Sequence, residues 1–218
     1  MKIKWLGHAS FLITSDTGTR IITDPYQPGY RDLYQYSRID EAADIVTVSH
    51  AHGDHNYVAS ILGDPQVVNS EGASTVNGIE FYGLGVYHDR VSGAQRGPNI
   101  IFRFAVDGIV TCHIGDLGHP LDDHQARTLG RVDVLLLPVG GPAGTIDLDE
   151  AEDICRRLAT RVIIPMHFKT SKCSFPKYSV DDFIRGKSNV TRVLGSELVL
   201  HKEKLPESAH IFVLEHAL

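Results

Sequence analysis

The sequence predicts an α/β fold in which sheets pack together and helices lie outside them. Two patterns predict it. Four apolar, β-branched runs have the length and composition of strands buried on both faces: "DIVTVSH" to His50, "GIVTCHIGD" to Asp116, "VDVLLLPVGG" from Val132, and "TRVIIPMH" to His167. Between the later runs lie short segments with helical spacing and capping residues.

From the N-terminus, "KIKWLG" and "SFLITS" alternate like half-buried strands, "SDTGT" marks a turn, and "RIITDP" resumes as a strand that stops at Asp24-Pro25. Residues 26–40 are aromatic and polar without a clear period and read as a loop or short helix. "PLDDHQARTLG" reads as a short helix ending at Gly130. "DLDEAEDICRRLAT" puts Leu148, Ala151, Ile154, Cys155 and Leu158 on one helical face, with Asp147 as N-cap and Glu150 three residues on. "SVDDFIRG" starts a helix at Ser179 and stops it at Gly186. "SELVLHKE" and "AHIFVLEH" are closing strands. No repeat, low-complexity tract or linker interrupts the chain, so residues 1–218 read as a single domain.

Composition narrows the function classes. Net charge is −6 and the pI about 6.0, which argues against a nucleic-acid polymer as partner. Cys112, Cys155 and Cys173 are odd in number and far apart, so a disulfide framework is not expected and a reducing cytoplasm is. "MKIKWLGHASFLIT" lacks a continuous apolar core and a cleavage site, so it reads as mature structure, and no apolar run is long enough to span a bilayer.

The twelve histidines are the unusual feature. His50, His52, Asp54 and His55 crowd the end of one buried run. In extended backbone, side chains at i and i+2 point the same way, so His50 and His52 can meet one cation. Gly53 lets the chain turn tightly, and Asp54 and His55 then aim at a second position. Imidazole and carboxylate suit Zn, Mn or Fe. Further ligands must come from distant strand ends.

His50 to His55, H-A-H-G-D-H, matches the H-x-H-x-D-H signature of the metallo-β-lactamase superfamily, and the chain resembles that superfamily over nearly its whole length. "WLGHASFLI", "GDLGH", "DVLLLPVGG" and "IIPMHFKT" look most like a compact bacterial and archaeal branch of Zn-dependent hydrolases of unknown substrate. That branch is similar to ascorbate-6-phosphate lactonase and N-acyl-phosphatidylethanolamine phospholipase D. The resemblance implies a four-layer αββα sandwich with metals at one edge. By the same resemblance Asp24 orients the histidine loop, Asp116 bridges the metals and His167 is the final ligand. The third histidine of the first metal comes from a loop one hairpin before the bridging aspartate. His88 fits if residues 99–116 form a hairpin turning at Asp107-Gly108, while His113 and His119 are rivals. His88 is the favoured assignment.

The implied centre holds two divalent cations, Zn first and Mn or Fe as alternatives: His50, His52 and His88 on one, Asp54, His55 and His167 on the other, Asp116 on both. Such a pair lowers the pKa of water and leaves a hydroxide at neutral pH. Catalytic roles fall to Asp54, Asp116 and Asp24. No G-x-S-x-G serine is present. The leading reading is a metal-dependent hydrolase of a small anionic ester, a phosphodiester or lactone, in a chain that can form homo-oligomers. The alternative is an iron-dependent oxidoreductase similar to persulfide dioxygenases, which keep the histidine motif with a single iron. The superfamily's flavin-linked di-iron reductases carry Glu where this chain has His52. A non-catalytic metal module is the third reading.

Weaker signals remain. His8 in "LGHAS" either packs or sits near the pocket, with packing the favoured role. Arg96 braces a turn or contacts substrate, and His119 lines the pocket. "GGPAG", residues 140–144, lacks the Gly-Lys-Ser/Thr of a Walker loop and reads as a turn on the pocket floor. Lys169, Lys172, Lys177, Arg185, Lys187 and Arg192 form a basic stretch that either attracts an anionic substrate, with Lys169 foremost, or is a solvated face.

Overall fold

The computed structural model describes residues 1–142 and 144–218. Strands are numbered in chain order. The first sheet contains β1 (Lys2–Gly7), β2 (Ser10–Thr14), β3 (Arg20–Thr23), β4 (Ile45–Thr47), β5 (Gln66–Val68) and β13 (Glu197–Val199), in the order β13-β1-β2-β3-β4-β5. The second contains β6 (Gly72–Val76), β7 (Ile79–Tyr87), β8 (Pro98–Val106), β9 (Ile109–His113), β10 (Val134–Pro138), β11 (Val162–Met166), β12 (Val190–Arg192) and β14 (His210–Val213), in the order β12-β14-β11-β10-β9-β8-β7-β6. Both sheets are mixed. Hairpin-connected strands pair antiparallel, whereas β3-β4-β5 and β9-β10-β11-β14-β12 pair parallel.

The period of two along the first sheet decides its two faces. Ile3, Trp5, Phe11, Ile13, Ile21 and Ile45 join the main core with residues of the second sheet, while Leu6, Leu12, Ile22 and Val46 face the other way. That outer face is covered by Tyr26, Tyr34, Tyr36 and Ile39. The aromatic segment expected as a loop or short helix is therefore a lid of tyrosines, with one 3-10 turn at Tyr30–Asp32. The α-helices cover the second sheet instead. They are α1 (Asp123–Leu129), α2 (Leu148–Arg157) and α3 (Val180–Ile184), and they bury Leu129, Ala151, Ile154, Val180 and Phe183 in the main core. Capping boxes start all three, at Asp122/Gln125, Asp147/Glu150 and Ser179/Asp182. No helix among the described residues is long and apolar enough to cross a membrane.

The β8–β9 hairpin turns at Asp107-Gly108, with φ 52° and 72°, and β6–β7 turns at Asn77-Gly78, with φ 50° and 76°. Both pairs meet the positive-φ requirement of tight hairpins. Pairing also fixes strand direction: β1, β3 and β4 run one way in the first sheet, and β7, β9, β10 and β11 share a direction in the second. Their C-terminal ends, on two neighbouring sheet edges, carry the polar residues.

The opposite edge is built for stability. Asp133, just before β10, accepts from the Val110 N–H at 2.9 Å and pairs with Lys202. Burial opposes its charge, but Lys202 and the backbone donor hold its pKa below the usual value. A depressed folded pKa stabilises above the unfolded value, near 3.9, and that stability is lost as pH falls through the folded pKa. Asp133→Asn should therefore cost about 1.5–3 kcal/mol at neutral pH. Urea unfolding should show the difference shrinking as pH drops below the unfolded value.

Candidate metal centre

Six strand ends deliver the centre's side chains. His8 follows β1, Asp24 follows β3, the loop 48–55 follows β4, His88 follows β7, Asp116 follows β9 and His167 follows β11. His8, Asp24 and His167 all have left-handed φ, 51°, 37° and 49°. Outside tight turns, non-glycine residues hold such angles where surrounding structure over-determines them.

Asp24 is fully buried and organises the histidine loop. Its Oδ1 accepts from the Ser49 N–H at 2.7 Å, and its Oδ2 from Ser49 Oγ at 2.5 Å and His55 Nδ1 at 2.8 Å. Ser49 Oγ, having donated its proton to Asp24, accepts from His50 Nδ1 at 2.9 Å. These bonds set tautomers. With Nδ1–H engaged, neutral His50 presents Nε2 as a lone pair, and His55 does so once a cation displaces its Nε2 proton. His50 Nε2 is buried with no protein partner, as is Asp116 Oδ1. Orphaned buried acceptors are costly, and a bound cation would satisfy both.

Asp116 sits at the middle of the cluster. Its Oδ2 lies 3.3 Å from His55 Nε2, 3.3 Å from His88 Nε2 and 3.2 Å from His167 Nε2. Asn99 fixes its backbone by accepting from the Asp116 N–H at 2.9 Å while donating to the Ile114 carbonyl. The rings of His50, His52 and His88 meet one another at 4.7–5.1 Å between centroids, and their ligand atoms converge closely enough for one cation. His55 and His167 converge likewise with His8.

Electrostatics fit a site awaiting positive charge. Burial opposes the Asp116 carboxylate, yet His167 and His55 hold its pKa well below the usual range. Asp54 is also lowered, the imidazoles of His8 and His55 outweighing burial. Burial disfavours a charged His55, but Asp116, Asp24 and Asp54 raise its pKa well above the ordinary histidine value. Burial lowers His50 strongly and His88 to about 4, keeping both neutral.

His88 thus joins His50 and His52, and its rivals lie elsewhere. Buried His113 donates Nε2–H to the Ala9 carbonyl at 2.9 Å, tying β9 to the loop after β1. His119 accepts from the Tyr87 N–H at 3.2 Å and donates to the Pro120 carbonyl at 2.8 Å, beside a separate surface hollow. Arg96 lines the pocket over the centre, as does Arg31, which the sequence reading did not single out. The Asp89 carboxylate holds the loop of Arg96 by accepting four backbone N–H bonds, from Val91, Gly93, Gln95 and Arg96 at 2.8–2.9 Å. Burial works against that charge, but these donors draw its pKa down to about 2.

Lys169 is exposed and outside that pocket; its N–H donates to the Tyr178 carbonyl at 2.8 Å. Within the basic stretch, Arg185 pairs with Asp182, Lys187 with Glu152 and Arg192 with Asp181. Of "GGPAG", Ala143 is outside the described residues; Gly144 borders the pocket, and Gly140 passes so close to the His167 carbonyl that a Cβ would lie 2.1 Å from it. Gly53 needs correction. Its φ is not left-handed; it is glycine because the Tyr30 ring would lie 2.5 Å from a Cβ.

Sequence reasoning also undervalued His8 and passed over Ser49. His8, expected to pack, points Nε2 at the centre, 3.2 Å from His55 Nε2. Its place after a strand-ending glycine was the available signal.

Two sheets joined at an edge lined by histidines and aspartates define a metallo-β-lactamase-type metalloprotein. A family model described as "Beta-lactamase superfamily domain" matches residues 2–167. A "UPF0173 metal-dependent hydrolase" of Methanoculleus marisnigri is 30% identical over 88% of this chain and 91% of its own length. A "UPF0173 protein" of Pyrococcus furiosus is 32% identical, over 78% of this chain and 84% of its own. The solved structure of a candidate Zn-dependent hydrolase of the metallo-β-lactamase superfamily from Thermotoga maritima superposes with a TM-score of 0.80 at 38% identity, over 98% of both chains. The chain belongs to the β-lactamase superfamily domain family and, within it, to the UPF0173 metal-dependent hydrolases.

Proposed function

We propose that this hydrolase holds two divalent cations, Zn foremost, and cleaves a small anionic ester such as a phosphodiester or lactone. The observation that carries the reading is Asp116, whose Oδ2 stands within 3.3 Å of three imidazole nitrogens from three strand ends. His50, His52 and His88 would hold one cation, Asp54, His55 and His167 the other, and Asp116 both. Bound there, the cations would polarise a substrate oxygen and lower the pKa of water.

The chain's own residues do the rest. Asp24 and Ser49 keep His50 and His55 in the ligating tautomer. No serine, threonine or cysteine is among the described residues lining the pocket, and its carboxylates and imidazoles are assigned to the cations, which supports water as the nucleophile. Burial, reinforced by the Asp54 carboxylate it hydrogen-bonds, raises the Tyr34 phenol's pKa, so Tyr34 is a neutral donor at the pocket wall. Leu33 and Phe175 make part of that wall apolar and limit water. Arg31 and Arg96 bring positive charge to the same pocket, which favours an anion.

The test is a panel of phosphodiesters, lactones and thioesters offered to metal-loaded and chelated protein. Turnover of an anionic ester should vanish on chelation and return with Zn or Mn; turnover that survives chelation overturns the reading. Once a substrate is known, Arg96→Ala should raise its KM by about 10–100-fold, the size of a lost charged hydrogen bond, with metal content unchanged. A neutral analogue should be affected far less, and Lys169→Ala should change neither.

A further inference from the structure

We infer that His8 is a fifth protein ligand of the second cation, the one assigned above to Asp54, His55, His167 and Asp116. The inference rests on that metal-binding reading and deepens it. His8 is only 1% exposed, and its Nε2 lies 3.2 Å from His55 Nε2 and 3.5 Å from Asp54 Oδ2. Its ligand atom also lies within 4.8 Å of those of both His55 and His167. Donors about 2.0–2.1 Å from one cation stand roughly 3.3–3.4 Å apart in a tetrahedron and about 2.9 Å apart at right angles. The His8 separations fall at this spacing, as do those of Asp116 from His55 and His167, 3.3 and 3.2 Å.

A hydrogen-bonding role accounts for less. His55 Nδ1 is taken by Asp24, so His55 Nε2 is the lone pair that a cation would occupy. A proton on His8 Nε2 would then face the same cation, whereas the Nδ1–H tautomer turns a lone pair toward it. The backbone fixes this aim. The His8 carbonyl accepts from Trp5 Nε1 at 3.0 Å and from the His167 N–H at 3.1 Å, locking a left-handed residue onto the end of β11.

The two positions then differ. The second has five protein donors, His8, Asp54, His55, His167 and Asp116; the first has His50, His52, His88 and Asp116. The second cation is held more tightly and leaves last on chelation. The first keeps open positions for water and substrate, the mark of a catalytic rather than a closed site.

Cobalt(II) titration of the metal-free protein tests this without any substrate, using His8→Ala and His8→Gln beside the parent. The glutamine retains an N–H donor for Asp54 but lacks an imidazole nitrogen. The parent should bind two cobalt ions, one tightly. Both variants should lose more than about 100-fold in the tight step, beyond the 10–100-fold typical of residues that only orient ligands. Their visible bands should intensify as coordination number falls. Thermal unfolding of the metal-free variants checks the fold; if His8→Ala does not fold, His8→Gln decides. Parent-like affinity and spectrum in His8→Gln would overturn the inference and leave His8 as a hydrogen-bond partner of Asp54. A parent that binds no cobalt would overturn the metal reading as well, so the two failures are distinct.

Discussion

Asp116→Ala should give a folded protein that retains neither cation at stoichiometric metal. The carboxylate oxygen lies close to imidazoles assigned to both positions, His88 on one side and His55 and His167 on the other. Its removal deletes a ligand from each and leaves three histidine nitrogens without the negative charge that draws a cation among them. Residues that only orient ligands cost about 10–100-fold in metal affinity when removed, and a shared ligand should cost more at each position. The fold should persist because the backbone there is held independently, through Asn99 and Ile114. Elemental analysis after desalting reads the metal, and thermal unfolding in chelator reads the fold. Parent-like metal content in Asp116→Ala would refute its bridging role.

Trp5→Ala should destabilise the protein by about 3–5 kcal/mol, the range for deleting a large buried aromatic. Trp5 is 1% exposed, and its ring lies 5.0 Å from that of Phe168 and 6.5 Å from that of Phe11. Phe168 directly follows His167, and Trp5 Nε1 donates to the His8 carbonyl, so one side chain packs the core between the sheets and fixes two residues of the centre. Trp5→Phe separates the effects: it keeps most of the volume and loses the hydrogen bond. Urea unfolding of both variants gives the comparison. A loss below about 1 kcal/mol for Trp5→Ala would show that the core relaxes around the cavity.

Local features were legible in the sequence because each carries its own chemistry. The cluster His50 to His55 needs only a strand end to converge, and the caps at Asp147 and Ser179 need only a first helical turn. The parallel strands β10 and β11 announced themselves through burial on both faces. What was missed depends on distant partners or on direction. The β6–β7 hairpin escaped notice although Asn77-Gly78 marks it, because β6 is a half-exposed run of small polar residues without a clear apolar face. His8 was taken for packing because its partner His55 is 47 residues away. Proximity in sequence to His167 favoured Lys169, yet the chain leaves the pocket there to pair with Tyr178 and Ser179. Arg31 reaches the pocket from a tyrosine-rich segment whose conformation no period announces, and Arg31 itself is left-handed, with φ 52°.

Metal stoichiometry tests the central claim most directly. Protein saturated with Zn(II), freed of excess by desalting and measured by elemental analysis against amino-acid quantitation, should carry two ions per chain. Saturation at one ion, or none, would contradict a centre in which Asp116 is shared between two cations.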